Sequence, residues 1–258
     1  MRLGLTALAA AVFLTGCGAT DWLGEGEDPP LPGRRIAIFA DDQSLRADAS
    51  DRDVALPRPY VNETWPQAHG YPTNAMYHLA VGTGAERLGA LDIGAGADED
   101  RPLLSAPIIG GGAIFALDAD GRATAFDAST GRRIWSYRLS PEEEEDSYLG
   151  GGLAFDDGVV VAALSTARAM ALRAADGALL WETRLDGPAR AAPTVIQGRA
   201  FVTSVDNRVV ALDMENGRRL WSHEAPVDSA ALLGGSTPAS DGEIVVVAYS
   251  NVEAVNLA

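Results

Sequence analysis

From residue 106 onward, short apolar runs separated by turn residues recur along the chain. Val159-Val160-Val161-Ala162-Ala163-Leu164, Phe201-Val202-Thr203 and Ile244-Val245-Val246-Val247-Ala248 are nearly continuous apolar stretches. Such runs predict strands covered on both faces rather than on one. Each repeat begins with a shorter strand that opens on a small residue: Ala106-Pro107-Ile108-Ile109, Gly152-Leu153-Ala154, Ala192-Pro193-Thr194-Val195 and Thr237-Pro238-Ala239. Proline suits a strand's first residue, where no ladder donor is needed. Gly112, Gly158 and Gly198 lie five residues beyond Pro107, Leu153 and Pro193, and Gly242 lies four beyond Pro238, so each marks a tight turn. Third strands are predicted at 123–126, 169–172 and 209–212, with hairpin turns at Asp120-Gly121 and Asp206-Asn207.

Each third strand runs into one motif. Ala211-Leu212-Asp213-Met214-Glu215-Asn216-Gly217-Arg218-Arg219-Leu220-Trp221 has the same form as the stretches ending at Trp135 and Trp181. Alanine precedes tryptophan by ten residues each time, and the tryptophans are 46 and 40 residues apart. A period of ~40–45 residues is that of a four-stranded propeller blade. Asp127 and Asp213 are expected to accept hydrogen bonds from turn amides, and Gly131, Gly177 and Gly217 to supply left-handed backbone. Trp135, Trp181 and Trp221 are expected to lie between blades, each indole N–H reaching a neighbouring carbonyl. These residues are therefore read as structural blade-docking positions.

The fold class that follows is all-β, a partial β-propeller of about four to five blades. Its repeats are placed at about 103–147, 148–188, 189–232 and an incomplete 233–258. Residues 254–258 match 211–215, without the glycine and tryptophan that should follow. The chain is thus expected to stop inside a repeat of a longer gene product, roughly 400 residues for eight blades.

Upstream the pattern is less regular. Trp65 opens the ordered part as a packing anchor, and 74–79 and 88–93 are expected as strands of an irregular first blade. Gly94-Ala95-Gly96 is not read as a phosphate loop, because no helix follows and Asp98-Glu99-Asp100 lies just downstream. Two readings of Arg35-Ile36-Ala37-Ile38-Phe39 stay open: a strand completing a blade made elsewhere, or a transient strand in a leader.

Residues 1–16 read as a signal peptide. Arg2 gives a positive start, and residues 3–14 form an apolar run of twelve, too short to span a bilayer. Leu14, Thr15, Gly16 and Cys17 resemble the lipobox of bacterial lipoproteins, and Cys17 is the chain's one cysteine. Cys17 is accordingly the expected lipid attachment site and mature N-terminus. Gly18 follows it where an aspartate could stand, which by resemblance to enteric lipoproteins permits sorting to the outer membrane. Residues 17–60 are expected as a flexible acidic and proline-rich tether, and 61–258 as the propeller.

Composition narrows the function. With 258 residues, 47% hydrophobic and 22% charged, the chain is globular, and its formal charge of −16 opposes nucleic acid. A single cysteine excludes an intramolecular disulfide. His69, His78 and His223 lack metal-ligand spacing. Asp118-Ala119-Asp120-Gly121 starts like a calcium loop but lacks the glutamate six residues after the glycine. Ser165 and Ser204 belong to the repeat framework, and Glu142-Glu143-Glu144-Glu145-Asp146 reads as a solvated loop or a site for a basic partner. No catalytic, cofactor-binding or metal-binding residue is assigned.

The pattern A-x-D-x-x-T-G-x-x-x-W resembles the tryptophan-docking motif of PQQ-like propellers, the eight-bladed fold of quinoprotein dehydrogenases. The first copy matches fully, the second has Arg173 and Asp176 for the aspartate and threonine, and the third has Asn216 for the threonine. Together with the lipobox, the tether and Trp65-Pro66-Gln67, it resembles the BamB family of the outer-membrane β-barrel assembly machinery. The resemblance implies a non-enzymatic scaffold without cofactor, held by its N-terminal lipid at the periplasmic face of the bacterial outer membrane. Implied partners are a BamA-like barrel assembly protein and unfolded outer-membrane proteins. The alternative is a PQQ- and calcium-dependent quinoprotein dehydrogenase, or another periplasmic propeller binding protein. Such enzymes carry vicinal cysteines by resemblance, and Cys17 alone cannot supply them.

Overall fold

The computed structural model describes residues 55–82, 89–97, 99, 102–140, 151–189, 191–226 and 235–249, and the backbone of 254–257. The chain divides into two units, Met1–Ala55 and Leu56–Ala258, and the fold below belongs to the second. The signal peptide, the lipobox with Cys17, the 35–39 strand and the acidic run 142–146 lie outside the described residues.

Every described strand pairing in the named sheets is antiparallel. The first sheet contains β1 (Ile108–Gly110), β2 (Ala113–Leu117), β3 (Arg122–Asp127) and β4 (Arg133–Arg138), in that order. The second contains β5 (Gly151–Asp156), β6 (Val159–Leu164), β7 (Arg168–Arg173) and β8 (Leu179–Arg184). The third contains β9 (Thr194–Ile196), β10 (Arg199–Ser204), β11 (Arg208–Asp213) and β12 (Arg219–Glu224). The fourth contains β13 (Ala239–Ser240), β14 (Val245–Ala248) and β15 (Ala254–Leu257). Short hairpins keep consecutive strands adjacent, so each sheet is an up-and-down meander, the blade of a β-propeller.

The apolar runs explain the stacking. β3, β7 and β11 are buried at their four middle positions, so both strand faces are covered. β4 and β8 instead bury their tryptophan among exposed neighbours, as outer strands with one covered face do. Three apolar clusters join successive sheets. Phe115, Trp135, Val160 and Leu172 belong to the first, and Val161, Trp181, Val202 and Leu212 to the second. Phe201, Val209, Val245 and Val247 belong to the third. Each fully buried large side chain contributes about 1.5–3 kcal/mol, so the blades are held by their faces more than by their connections.

Strand pairing corrects two expectations. Residues 74–79 and 89–93 form no named strand; the first takes part in an isolated parallel bridge between Tyr60 and Leu79. Their main-chain groups are used locally instead, as in Tyr60 N–H to His78 O at 3.1 Å and Ala80 N–H to Tyr60 O at 2.7 Å. The last strand is also shifted against its sequence match. Val245 pairs with Leu257 as Ala200 pairs with Leu212, so Ala254 corresponds to Val209 and not to Ala211. The sequence match rested on one alanine, whereas the register follows the buried alternation of Val245 and Val247.

Candidate functional site

The blade joint begins with a local turn. Gly131, Gly177 and Gly217 have φ of 69°, 73° and 72°, and each N–H closes on the carbonyl four residues back at 2.8 Å. A register shift precedes each turn, between Ala125 and Phe126, Ala171 and Leu172, and Ala211 and Leu212. In the first copy Asp127 Oδ1 accepts from the hydroxyls of Ser129 (2.6 Å) and Thr130 (2.9 Å) and from both their amides. The second copy reverses the charges: Arg173 occupies the aspartate's place and donates to Asp176 at 2.9 Å, while Asp176 accepts from the Ala178 amide. The two departures from the motif therefore compensate one another.

Hydrogen bonds from Ser129 and then Thr130 hold the Asp127 carboxyl down at about 2, against an ordinary 3.8. A depressed carboxyl stabilises the fold above its unfolded value and loses that contribution as pH falls through its folded value. Asp127→Ala should therefore lower Tm at pH 7, and the difference from the parent should shrink as pH falls from 4 to 2. Paired thermal melts across that window check this; an unchanged difference would exclude the charged turn as the cause.

The joint closes on the next blade. Trp135 Nε1 donates to Ala174 O at 2.7 Å, and Trp181 Nε1 to Met214 O at 2.8 Å. The two rings sit against the glycines of the following turns: a Cβ on Gly177 would stand 2.7 Å from Trp135 Cδ2, and one on Gly217 2.6 Å from Trp181 Cε3. Trp221 is half-buried, tilted 37° to Phe201 at 5.8 Å between centroids. Asp213 accepts the Glu215 amide at 2.9 Å. A polar rivet ties the segment after β8 to the third sheet, where Asp186 meets Arg219 at 2.9 Å and Arg208 at 3.2 Å. The hydrogen bond from Arg219 is the main reason the Asp186 carboxyl lies below its usual range.

The feature that sequence reasoning missed lies on the inner side. β1, β5, β9 and β13 lie beside one another in succession, and residues 65–74 cross them as a strap. Trp65 exchanges main-chain hydrogen bonds with Ile109 at 2.8 and 2.7 Å, and Phe155 N–H donates to Pro66 O at 2.8 Å. Gln67 is fully buried, and its Nε2 donates to Val195 O at 2.6 Å, a side-chain amide standing in for a strand peptide. Ser240 N–H then donates to Pro72 O at 2.8 Å. The strap folds back at Gly70, with φ 92°, where a Cβ would overlap Met76 Sδ at 2.1 Å. Trp65, expected as a packing anchor, is half-buried and serves the strap through its main chain. Between strap and strand ends lies a cleft of about 290 Å³, bordered by Tyr71, Phe155 and Asp156.

The remaining candidates are dispersed. His69 is exposed, His78 Nδ1 lies 2.7 Å from Pro57 O, and His223 stands 6.2 Å from the Tyr249 ring. Among the described residues, no three histidine, cysteine, aspartate or glutamate side chains are placed to share a metal ion. Asp118 is buried and accepts the amides of Asp120, Arg122 and Ala95, which makes the Asp118–Gly121 turn a docking point for Gly94-Ala95-Gly96. Among the described residues no helix is long and apolar enough to cross a membrane.

Comparison with known proteins adds the family. Residues 58–149 and 141–258 match the family model described as outer membrane protein assembly factor BamB. The protein of that name from Yersinia pestis is 30% identical over 134 residues, which cover 50% of this chain and 34% of that one. The crystal structure of BamB from Moraxella catarrhalis aligns with a TM-score of 0.53 at 19% identity, covering 60% of this chain and 45% of that one. A quinohemoprotein alcohol dehydrogenase from Pseudomonas putida aligns with a TM-score of 0.56 at 19% identity, covering 72% of this chain and 34% of that one. At these identities the two structures share the propeller fold. The chain spans about a third of the length of the curated relatives it matches.

Proposed function

Because this chain belongs to the family of outer membrane protein assembly factor BamB, we propose that it is a non-enzymatic scaffold for assembling β-barrel proteins at the outer membrane. The observation that carries this reading is the use of the motif and the inner edge. The indole donors of Trp135 and Trp181 are spent on neighbouring blades, and the inner strands carry the chain's own strap. Such a framework also has an outer surface to offer to partners. Ile134, Leu180 and Leu220 precede the three motif tryptophans and are exposed on β4, β8 and β12. Outer strands of this kind present unpaired main-chain groups and apolar side chains to an extended polypeptide. In this reading Cys17 carries the lipid, residues 17–60 span from membrane to propeller, and the partners are a BamA-like barrel assembly protein and unfolded outer-membrane proteins.

Affinity isolation of the full-length protein from its native host in mild detergent is the test. The barrel assembly protein should co-purify, and Cys17→Ser should move the protein from the membrane to the soluble periplasmic fraction. Absence of the assembly protein from the isolate would sink the scaffold reading. Turnover of an alcohol on reconstitution with PQQ and calcium would replace it with the dehydrogenase reading.

A further inference from the structure

The cleft beneath the strap is built from Pro66, Gln67, Tyr71 and Pro72 on one side and Phe155 and Asp156 on the other. Its position is set by the fold: Pro66 O holds the Phe155 amide, and Pro72 O holds the Ser240 amide, so the strap bridges sheets without filling the space between them. Phe155 is itself fixed, stacked on Phe115 at 5.7 Å and 16° and seated over Gly110, where a Cβ would fall 2.2 Å from its Cδ1. Asp156 ends β5 at this wall and is half-buried. Among the described residues, no basic side chain borders the cleft.

Carboxylate, aromatic rings and prolines around a space of about 290 Å³ match one chemistry, an alkyl chain ending in a cation. We propose that this cleft binds an alkylammonium group, with Asp156 as its counter-charge and Tyr71 and Phe155 as walls for the methylenes. Two observations support the assignment. Burial, and then the charge of Asp157, raise the Asp156 carboxyl, a penalty on its ionised form that an ammonium beside it would offset. The chain's net charge of −16 also draws cations toward it. Tyr71 is positioned for the role, since its hydroxyl donates to Asn62 Oδ1 at 2.9 Å and its ring is thereby held at the cleft wall.

An ammonium can come from a lysine side chain of an extended polypeptide or from a free polyamine. Calorimetric titration of the full chain separates them, using Nα-acetyl-lysine methylamide, 1,5-diaminopentane and uncharged Nα-acetyl-norleucine methylamide. The lysine compound should bind at least about tenfold more tightly than the norleucine compound. Asp156→Asn, which keeps the side chain's shape, should weaken lysine binding about tenfold, whereas Asp157→Asn should change it less than about threefold. Tyr71→Leu should weaken it as well. Binding of the lysine compound alone assigns the site to a polypeptide, and equal binding of the diamine assigns it to free polyamines. Norleucine binding as tightly as lysine, indifference to Asp156→Asn, or no binding by either amine at millimolar concentrations would overturn the proposal. Circular dichroism of each variant establishes that the blades are folded during these measurements.

Discussion

Trp181→Ala is expected to destabilise the propeller by about 3–5 kcal/mol. Three losses combine in that figure. The ring leaves the cluster that joins the second and third sheets, the cavity opens against a rigid turn, and Met214 O loses its indole donor. A domain of this kind is stable by only about 5–15 kcal/mol, so the variant should lie near its unfolding threshold at 37 °C. Denaturant titration measures the loss directly. Trp181→Phe separates the contributions: it keeps most of the ring's burial and removes the hydrogen bond, so it should cost about 1–2 kcal/mol. An alanine variant costing less than the phenylalanine variant would show that Trp181 is not the joint between these blades.

Gly152→Ala is the second large expected effect, although it adds a single methyl group. The new Cβ would stand 2.4 Å from Ala192 Cα and 2.8 Å from Ala192 N. Those are backbone atoms leading into β9, which cannot step aside as the end of a long side chain could. Overpacking of this type costs about 1–3 kcal/mol and occasionally more, and here the upper end is expected because the contact lies between β5 and the buried backbone entering β9. Chemical denaturation should show the loss, and hydrogen exchange should show faster opening of β9 than of β2. Gly112→Ala has nothing within 4 Å of its Cβ and serves as the control. Its φ of 76° carries its own cost, of about 1 kcal/mol. If the two substitutions cost the same, the clash at Ala192 is not the source of the effect.

The blade repeat was legible in the chain because its determinants are close together. Asp127, Ser129, Thr130 and Gly131 make their turn among themselves, within a stretch of five residues. The Arg173 and Asp176 departures stand in the sequence as two separate replacements, and their 2.9 Å contact shows that they form one rewired turn. Other turns were marked by glycine alone, yet Asp157 and Gln197 share the positive φ, at 42° and 50°. No residue preference signals glutamine there; the β9–β10 pairing imposes it.

The strap left no periodic signal. Its two β-bridges to the sheets, Trp65 to Ile109 and Gln67 to Ala154, are single steps rather than ladders, so no alternation marks them. Gln67 reads as an ordinary polar residue until it is found buried with its amide on Val195 O, 128 positions away. The cleft and Asp156 depend on the strap and were equally out of reach. The two-residue shift of β15 has the same origin, since an alanine match is local information and register is not.

The blade, with its strands, its turns and the residue types at each joint, is readable along the chain because neighbours a few positions apart set it. Packing between blades is what makes Gly177 and Gly217 the seats of Trp135 and Trp181. Packing likewise sets the path of residues 65–74 across the inner strands and places the half-buried Asp156 at the cleft wall. Those features pair residues from about 40 to 170 positions apart, and such pairs are chosen by which faces must be covered when the blades stack.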